Sequence, residues 1–133
     1  MPSANKPSLD TLGEIFRFAV RRFQTARLAY GHGTTNARDE AAFLVLEGLR
    51  LPIDRLDPYL DLRPTAAERA RLLTLIDARV SLRMPASYLV GAAYMHGVRF
   101  HSDRRALIPR SFIGDMLADG VLPIGDPKRI KRV

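Results

Sequence analysis

Two threonines, Thr11 and Thr65, each stand three residues ahead of a glutamate, Glu14 and Glu68, and each opens a run of apolar residues at helical spacing. In such a pair the hydroxyl and the carboxylate bond reciprocally to backbone N–H groups that a helix start leaves free. A strand gains nothing from that arrangement, so the two pairs commit much of the chain to helix. After Thr11, with Ser8 as an alternative cap one turn earlier, Leu12, Ile15, Phe16, Ala19, Val20, Phe23 and Ala26 recur on one face. Arg17, Arg21 and Gln24 fall on the opposite face. This first helix is expected to run until Tyr30-Gly31-His32-Gly33, where two glycines permit left-handed backbone.

Asn36 is placed to cap a second helix, with Asp39 and Glu40 in its positive first turn. Its apolar set is Ala37, Ala41, Leu44, Val45 and Leu49, and it ends before Pro52. Three prolines, Pro52, Pro58 and Pro64, favour short turns or a single turn of helix, from which Leu56, Tyr59, Leu60 and Leu62 pack back onto the core. The helix opened by Thr65 turns Ala66, Leu72, Leu73, Ile76 and Val80 inward. Arg69 and Arg79 lie in that same arc, so either their stems cross the bundle surface or each meets a buried partner. Pro85 restarts the chain with Ala86-Ser87-Tyr88-Leu89, and Gly91 ends it.

After Gly91 the apolar spacing changes. Ala93, Tyr94 and Met95, then Val98 and Phe100, and later Leu107-Ile108, read as short strands, with a bulge or bend at Gly97 and a turn at Ser102-Asp103. An isolated two-stranded hairpin is marginal in water, so it must lean on the helices or on something outside the chain. The expected fold is mainly α: a bundle of four to five helices followed by a short β-hairpin. The division expected is a helical domain over 1–91, a hairpin linker over 92–118, and a tail over 119–133.

The chain has 133 residues, suited to one compact domain, and 47% of them are hydrophobic, which suits a globular protein. Cysteine is absent, which removes disulfides, thiolate nucleophiles and cysteine-bound metals. No stretch reaches the ~18 apolar residues of a membrane span. Residues 1–7 lack a signal peptide's apolar core, so a cytoplasmic location is expected. The net charge is +7, with eighteen arginines to three lysines. Such a surface attracts RNA, ribosomal particles or acidic proteins, although an arginine-rich coding bias gives the same count.

Catalytic chemistry is thinly represented. His32, His96 and His101 are the only histidines, and no two share a helical ligand spacing, so no metal site is expected. Ser111 with His101 and Asp103 has the residue types of a nucleophilic triad, but nothing local specifies its geometry. Gly31-His32-Gly33 resembles a fragment of a dinucleotide loop, yet it follows a helix and lacks a third glycine. It reads instead as a helix terminator or a recognition loop. Basic side chains gather at Arg17 and Arg21, at Arg104 and Arg105, and in the tail at Lys128, Arg129, Lys131 and Arg132.

Several segments together resemble one family. Tyr30-Gly31-His32-Gly33-Thr34, then Asn36 and Asp39-Glu40-Ala41, resembles the start of the bacterial ribosomal-protein glutamine methyltransferases, the PrmB type. Arg79, Pro85, Tyr88, Leu89 and Gly91, with Phe100 ahead of Leu107-Ile108-Pro109-Arg110, is similar to a pattern shared with HemK-type release-factor methyltransferases. Ser111 and Ile113-Gly114 favour the ribosomal branch. Phe112 departs from the proline usual there, and Asp115 replaces a glutamate. The tail, from Asp126-Pro127 to Val133, resembles the lead-in to the family's first methyltransferase strand.

The resemblance implies a specific role. In the family a helical N-terminal domain recognises substrate, and a hairpin joins it to an S-adenosylmethionine-binding domain. That domain methylates a glutamine side-chain nitrogen. Its glycine-rich loop and Asn-Pro-Pro-Tyr motif are not found in these residues, so no catalytic or cofactor-binding residue is expected here. The expected partners are a ribosomal protein substrate, rRNA beside it, and the absent catalytic domain, with no membrane. Tyr30, His32, Asn36, Arg17, Arg21 and Arg110 are the candidate contact residues; Arg79, Pro85, Tyr88, Gly91 and Pro109 carry the structural motif. The alternatives are the release-factor branch, a free-standing basic RNA- or ribosome-binding adaptor, and a non-functional piece with Ile108, Phe112 and Leu117 uncovered.

Overall fold

The structure, a computed structural model, describes residues 8–121. Both threonine–glutamate pairs form complete capping boxes. Thr11 caps α1 (Leu12–Thr25) and Thr65 caps α3 (Ala66–Ser81), each hydroxyl accepting from the glutamate N–H 3.2 Å away. Asn36 caps α2 (Ala37–Gly48), its Oδ1 accepting from Asp39 N at 2.9 Å. A single 3₁₀ turn, Asp57–Tyr59, lies in the proline-rich segment, as expected. A short α4 (Ala86–Val90) ends on Gly91, and an antiparallel hairpin, β1 (Ala92–Met95) with β2 (Val98–His101), follows. The mainly α bundle with a short hairpin is therefore observed.

Three cross-links show how the long helices run. Asp10 meets Arg69 at 3.6 Å, Arg22 meets Asp77 at 3.0 Å, and Arg83 donates to the Ala26 carbonyl at 2.9 Å. Partners advance together along both helices, so α1 and α3 run parallel. Helix α2 runs against them, with Glu40 beside Arg79 at one end and Gly48 beside Leu72 at the other. At Gly48 the helices approach so closely that a Cβ would lie 2.7 Å from Leu72 Cδ2. The core between them holds Leu12, Ile15, Phe23, Leu44, Leu46 and Ile76. Ala66, expected inward, is exposed, because it occupies the first turn of α3 beyond the end of that core.

Helix α1 stops five residues before the glycine pair. Ala26 is its C-cap, and Arg27 follows in the left-handed region at φ +48°. Arg27 N–H donates to Gln24 O and Leu28 N–H to Phe23 O, the six-to-one closure that returns Leu28 to the core. Arg50 and Arg83 hold the same place after α2 and α3, at φ +58° and +51°. Arginine replaces the usual glycine at all three ends; its positive charge suits a helix C-terminus, which offsets part of the backbone strain.

At Gly97 the bend, of the two alternatives, is the one observed. Met95 pairs with Val98, and His96 and Gly97 between them both have positive φ, so Gly97 belongs to a two-residue turn of the I′ kind instead of a bulge. Leu107-Ile108, expected as a strand, forms none. The chain there leaves a turn closed by Ala106 N–H donating to Asp103 O, and Pro109 has no N–H to offer a ladder. Within the segment assigned to the linker a further helix appears, α5 (Phe112–Ala118), capped by Ser111. The basic tail lies outside the described residues, and no described helix is long and apolar enough to cross a membrane.

Candidate functional site

The hairpin is moored to α2 by one carboxylate. Glu47 is buried; its Oε2 accepts from the Tyr94 hydroxyl at 2.8 Å, and its Oε1 accepts from Arg99 Nε at 3.1 Å and Nη2 at 2.7 Å. The Tyr94 ring meets Phe43 edge-on at 6.2 Å. Burial, and then the adjoining Glu47 charge, push the Tyr94 hydroxyl above its ordinary range. This mooring holds β1 beside α2 and opens a cleft between the hairpin, α4 and the glycine loop.

The inner part of that cleft is a pocket of about 100 Å³, lined among others by His32, Thr34, Glu40, Ser87, Tyr94 and Ile108. A second pocket of similar size shares His32, Gly33, Ile108 and Pro109 with it and adds Tyr88, Leu107 and Arg110. The loop that walls both is shaped by Gly31 and Gly33 at φ +125° and +102°, and is closed by Gly31 N–H donating to Thr34 O at 2.9 Å. A side chain at either glycine would strain that backbone.

Behind the inner pocket lies a buried ion pair. Arg79 Nε donates to Glu40 Oε2 at 2.9 Å, and both side chains are at most 4% exposed. Arg79 Nη2 also donates to the Ala29 carbonyl, at 2.9 Å. Of the two alternatives for Arg79, the buried partner is the one observed. Arg69 instead reaches the exposed Asp10. Thr34 Oγ1 approaches the other Glu40 oxygen at 3.4 Å.

The expected contact residues divide among four places. His32 and Arg110 line the cleft, and so do Tyr88 and Pro109. Pro85 and Gly91 begin and end α4 behind it, and the Tyr88 hydroxyl donates to the Ala106 carbonyl at 2.8 Å. Tyr30 is half-buried; its hydroxyl makes no hydrogen bond among the described residues and is pushed up by burial and by the Glu40 charge, partly offset by Arg79. Asn36 serves as the cap of α2, and Arg17 and Arg21 project from the outer face of α1, away from the cleft lining.

The other candidates resolve differently. The Ser111 hydroxyl accepts from Gly114 N–H at 3.0 Å as a cap, while His101 meets Asp103 at 2.9 Å without it, so the three do not form a triad. Among the described residues no group of three His, Asp or Glu side chains is placed to hold a metal. Glu40 and Glu47 were not singled out as site residues from sequence. The signal was present for Glu40, which sits between Ala37 and Ala41 on the buried face of α2, opposite an arginine also set in an apolar arc.

A protein of Bordetella pertussis named ribosomal protein uL3 glutamine methyltransferase is 50% identical over 133 residues, covering 99% of this chain and 45% of the relative. Proteins of the same name from Burkholderia pseudomallei and Xylella fastidiosa are 48% and 40% identical, each over 92% of this chain and 40% and 39% of their own length. Over nearly its whole length, then, the chain is similar to part of the uL3 glutamine methyltransferases. It spans less than half the length of these relatives. No protein-family model matches the chain, and no solved structure does.

Proposed function

We propose that this chain is the substrate-engaging part of an S-adenosylmethionine-dependent glutamine methyltransferase acting on ribosomal protein uL3. In this reading it presents the substrate and does not perform the transfer. The carrying observation is identity of 40–50% with proteins so named, spread over 86–99% of the chain. The cleft at His32, Tyr88 and Pro109-Arg110 is its docking surface for the ribosomal protein, since those residues come from three separate segments and meet at one concave site. The residues that orient a glutamine amide toward a methyl sulfonium belong to the family's catalytic domain, where positioning does most of the work because an amide nitrogen is a weak nucleophile. Calorimetric titration with S-adenosylmethionine should give no heat of binding, whereas uL3 should bind. Stoichiometric cofactor binding by this chain would overturn the division of labour.

A second reading rests on the +7 charge and the exposed Arg17 and Arg21. In it the chain is a basic RNA- or ribosome-binding adaptor. Binding to ribosomal RNA would fall steeply with salt and weaken on reversing both charges. Salt-independent binding, or none, eliminates it.

A further inference from the structure

The inner pocket offers a more specific reading of the docking surface, and rests on that surface being one. Its volume is about 100 Å³. Small-molecule sites enclose roughly 300–1,000 Å³. The pocket therefore suits one side chain presented by a larger partner. Its walls are mostly apolar, from Phe43, Ile53, Ala86, Ala93 and Ile108, while Glu40 supplies a carboxylate. One Glu40 oxygen is held by Arg79 at 2.9 Å; the other has only the long 3.4 Å approach of Thr34, which leaves it acceptor capacity. Because Arg79 already balances the Glu40 charge, a second buried cation would be left unmatched. A phosphate would face the carboxylate directly.

We propose that this pocket is a socket for one neutral side chain of a docked polypeptide, with an apolar body and a hydrogen-bond-donating end. A tyrosine phenol meets both requirements. Glu40 accepts from its hydroxyl, and the apolar walls hold its ring.

The test titrates the chain with side-chain mimics while recording amide shifts of Gly33, Thr34, Phe43 and Ala93 by NMR. Para-cresol should shift them saturably in the millimolar range. Toluene should bind roughly fivefold to tenfold more weakly, the worth of one hydrogen bond. Butylammonium and uridine monophosphate should leave them unmoved. Ala93→Leu fills the pocket and should abolish the cresol shifts; if it disturbs the fold, Ile108→Phe blocks the same space from a half-buried segment. Equal binding of toluene and cresol, preference for the ammonium or the nucleotide, or no saturable shift would overturn the proposal. No ribosomal protein is present in this experiment, so its failure is distinct from failure of uL3 to bind.

Discussion

Removing Arg79 should be among the most damaging single changes the chain can suffer. Its guanidinium and the Glu40 carboxylate are 3% and 4% exposed, and the guanidinium also satisfies the Ala29 carbonyl at the loop entrance. In Arg79→Met the Glu40 charge stays buried without a counter-ion, a loss of about 3–5 kcal/mol in comparable pairs. That is a large part of the roughly 5–15 kcal/mol that usually holds a domain together. The exposed pair Arg22–Asp77, at 40% and 66% exposure, provides the contrast: Asp77→Ala should cost about 0–1 kcal/mol. Adding Glu40→Leu to Arg79→Met should recover much of the loss, because no unmatched charge then remains. Urea unfolding at constant m-value measures all three. A loss below about 1 kcal/mol for Arg79→Met, or no recovery in the double variant, would refute the claim that the pair is electrostatically isolated.

Other expectations follow from single contacts. Glu47→Ala strips Tyr94 and Arg99 of their shared acceptor, so hydrogen exchange should quicken across Ala92–His101 while α1 and α3 keep their protection. Gly48→Ala would favour an ordinary helix, but here the added Cβ meets Leu72 at 2.7 Å, so thermal unfolding should show a loss of about 1–3 kcal/mol. Glu14 is held below its ordinary 4.5, chiefly by the Thr11 backbone N–H. Its contribution is present above that value and fades as pH falls through the depressed one, so Glu14→Gln should flatten the acid limb of stability against pH. Tyr94 is raised above 10.0, so its bond to Glu47 is intact below that value and lost as pH rises through the elevated one; Tyr94→Phe should remove that alkaline step.

Helix starts were legible in the sequence because capping is local: Thr11, Asn36 and Thr65 act on N–H groups within their own first turn. Helix ends were less so. The end of α1 was sought at the glycines, but it is set by Arg27, whose left-handed backbone is sustained by Leu28 entering the core, a tertiary effect. Arg79 was marked as anomalous by its place in an apolar arc. Its partner lies 39 positions away, and only the antiparallel packing of α2 on α3 brings the two together. The cleft was half visible: His32, Tyr88, Pro109 and Arg110 were named, while Glu40, Ser87 and Tyr94 join them through packing between α2, α4 and β1. Of the three residues that the non-functional alternative would leave uncovered, Phe112 and Leu117 are exposed, while Ile108 is half-buried because it walls the cleft.

The central claim is that this chain engages a ribosomal protein through the cleft. Calorimetric titration of the chain with purified uL3, repeated with Ile108→Phe and with Arg17→Glu/Arg21→Glu, tests it most directly. The account predicts one-to-one binding that Ile108→Phe abolishes and the arginine changes leave nearly intact. Absence of uL3 binding, or binding lost only when Arg17 and Arg21 are reversed, would contradict it.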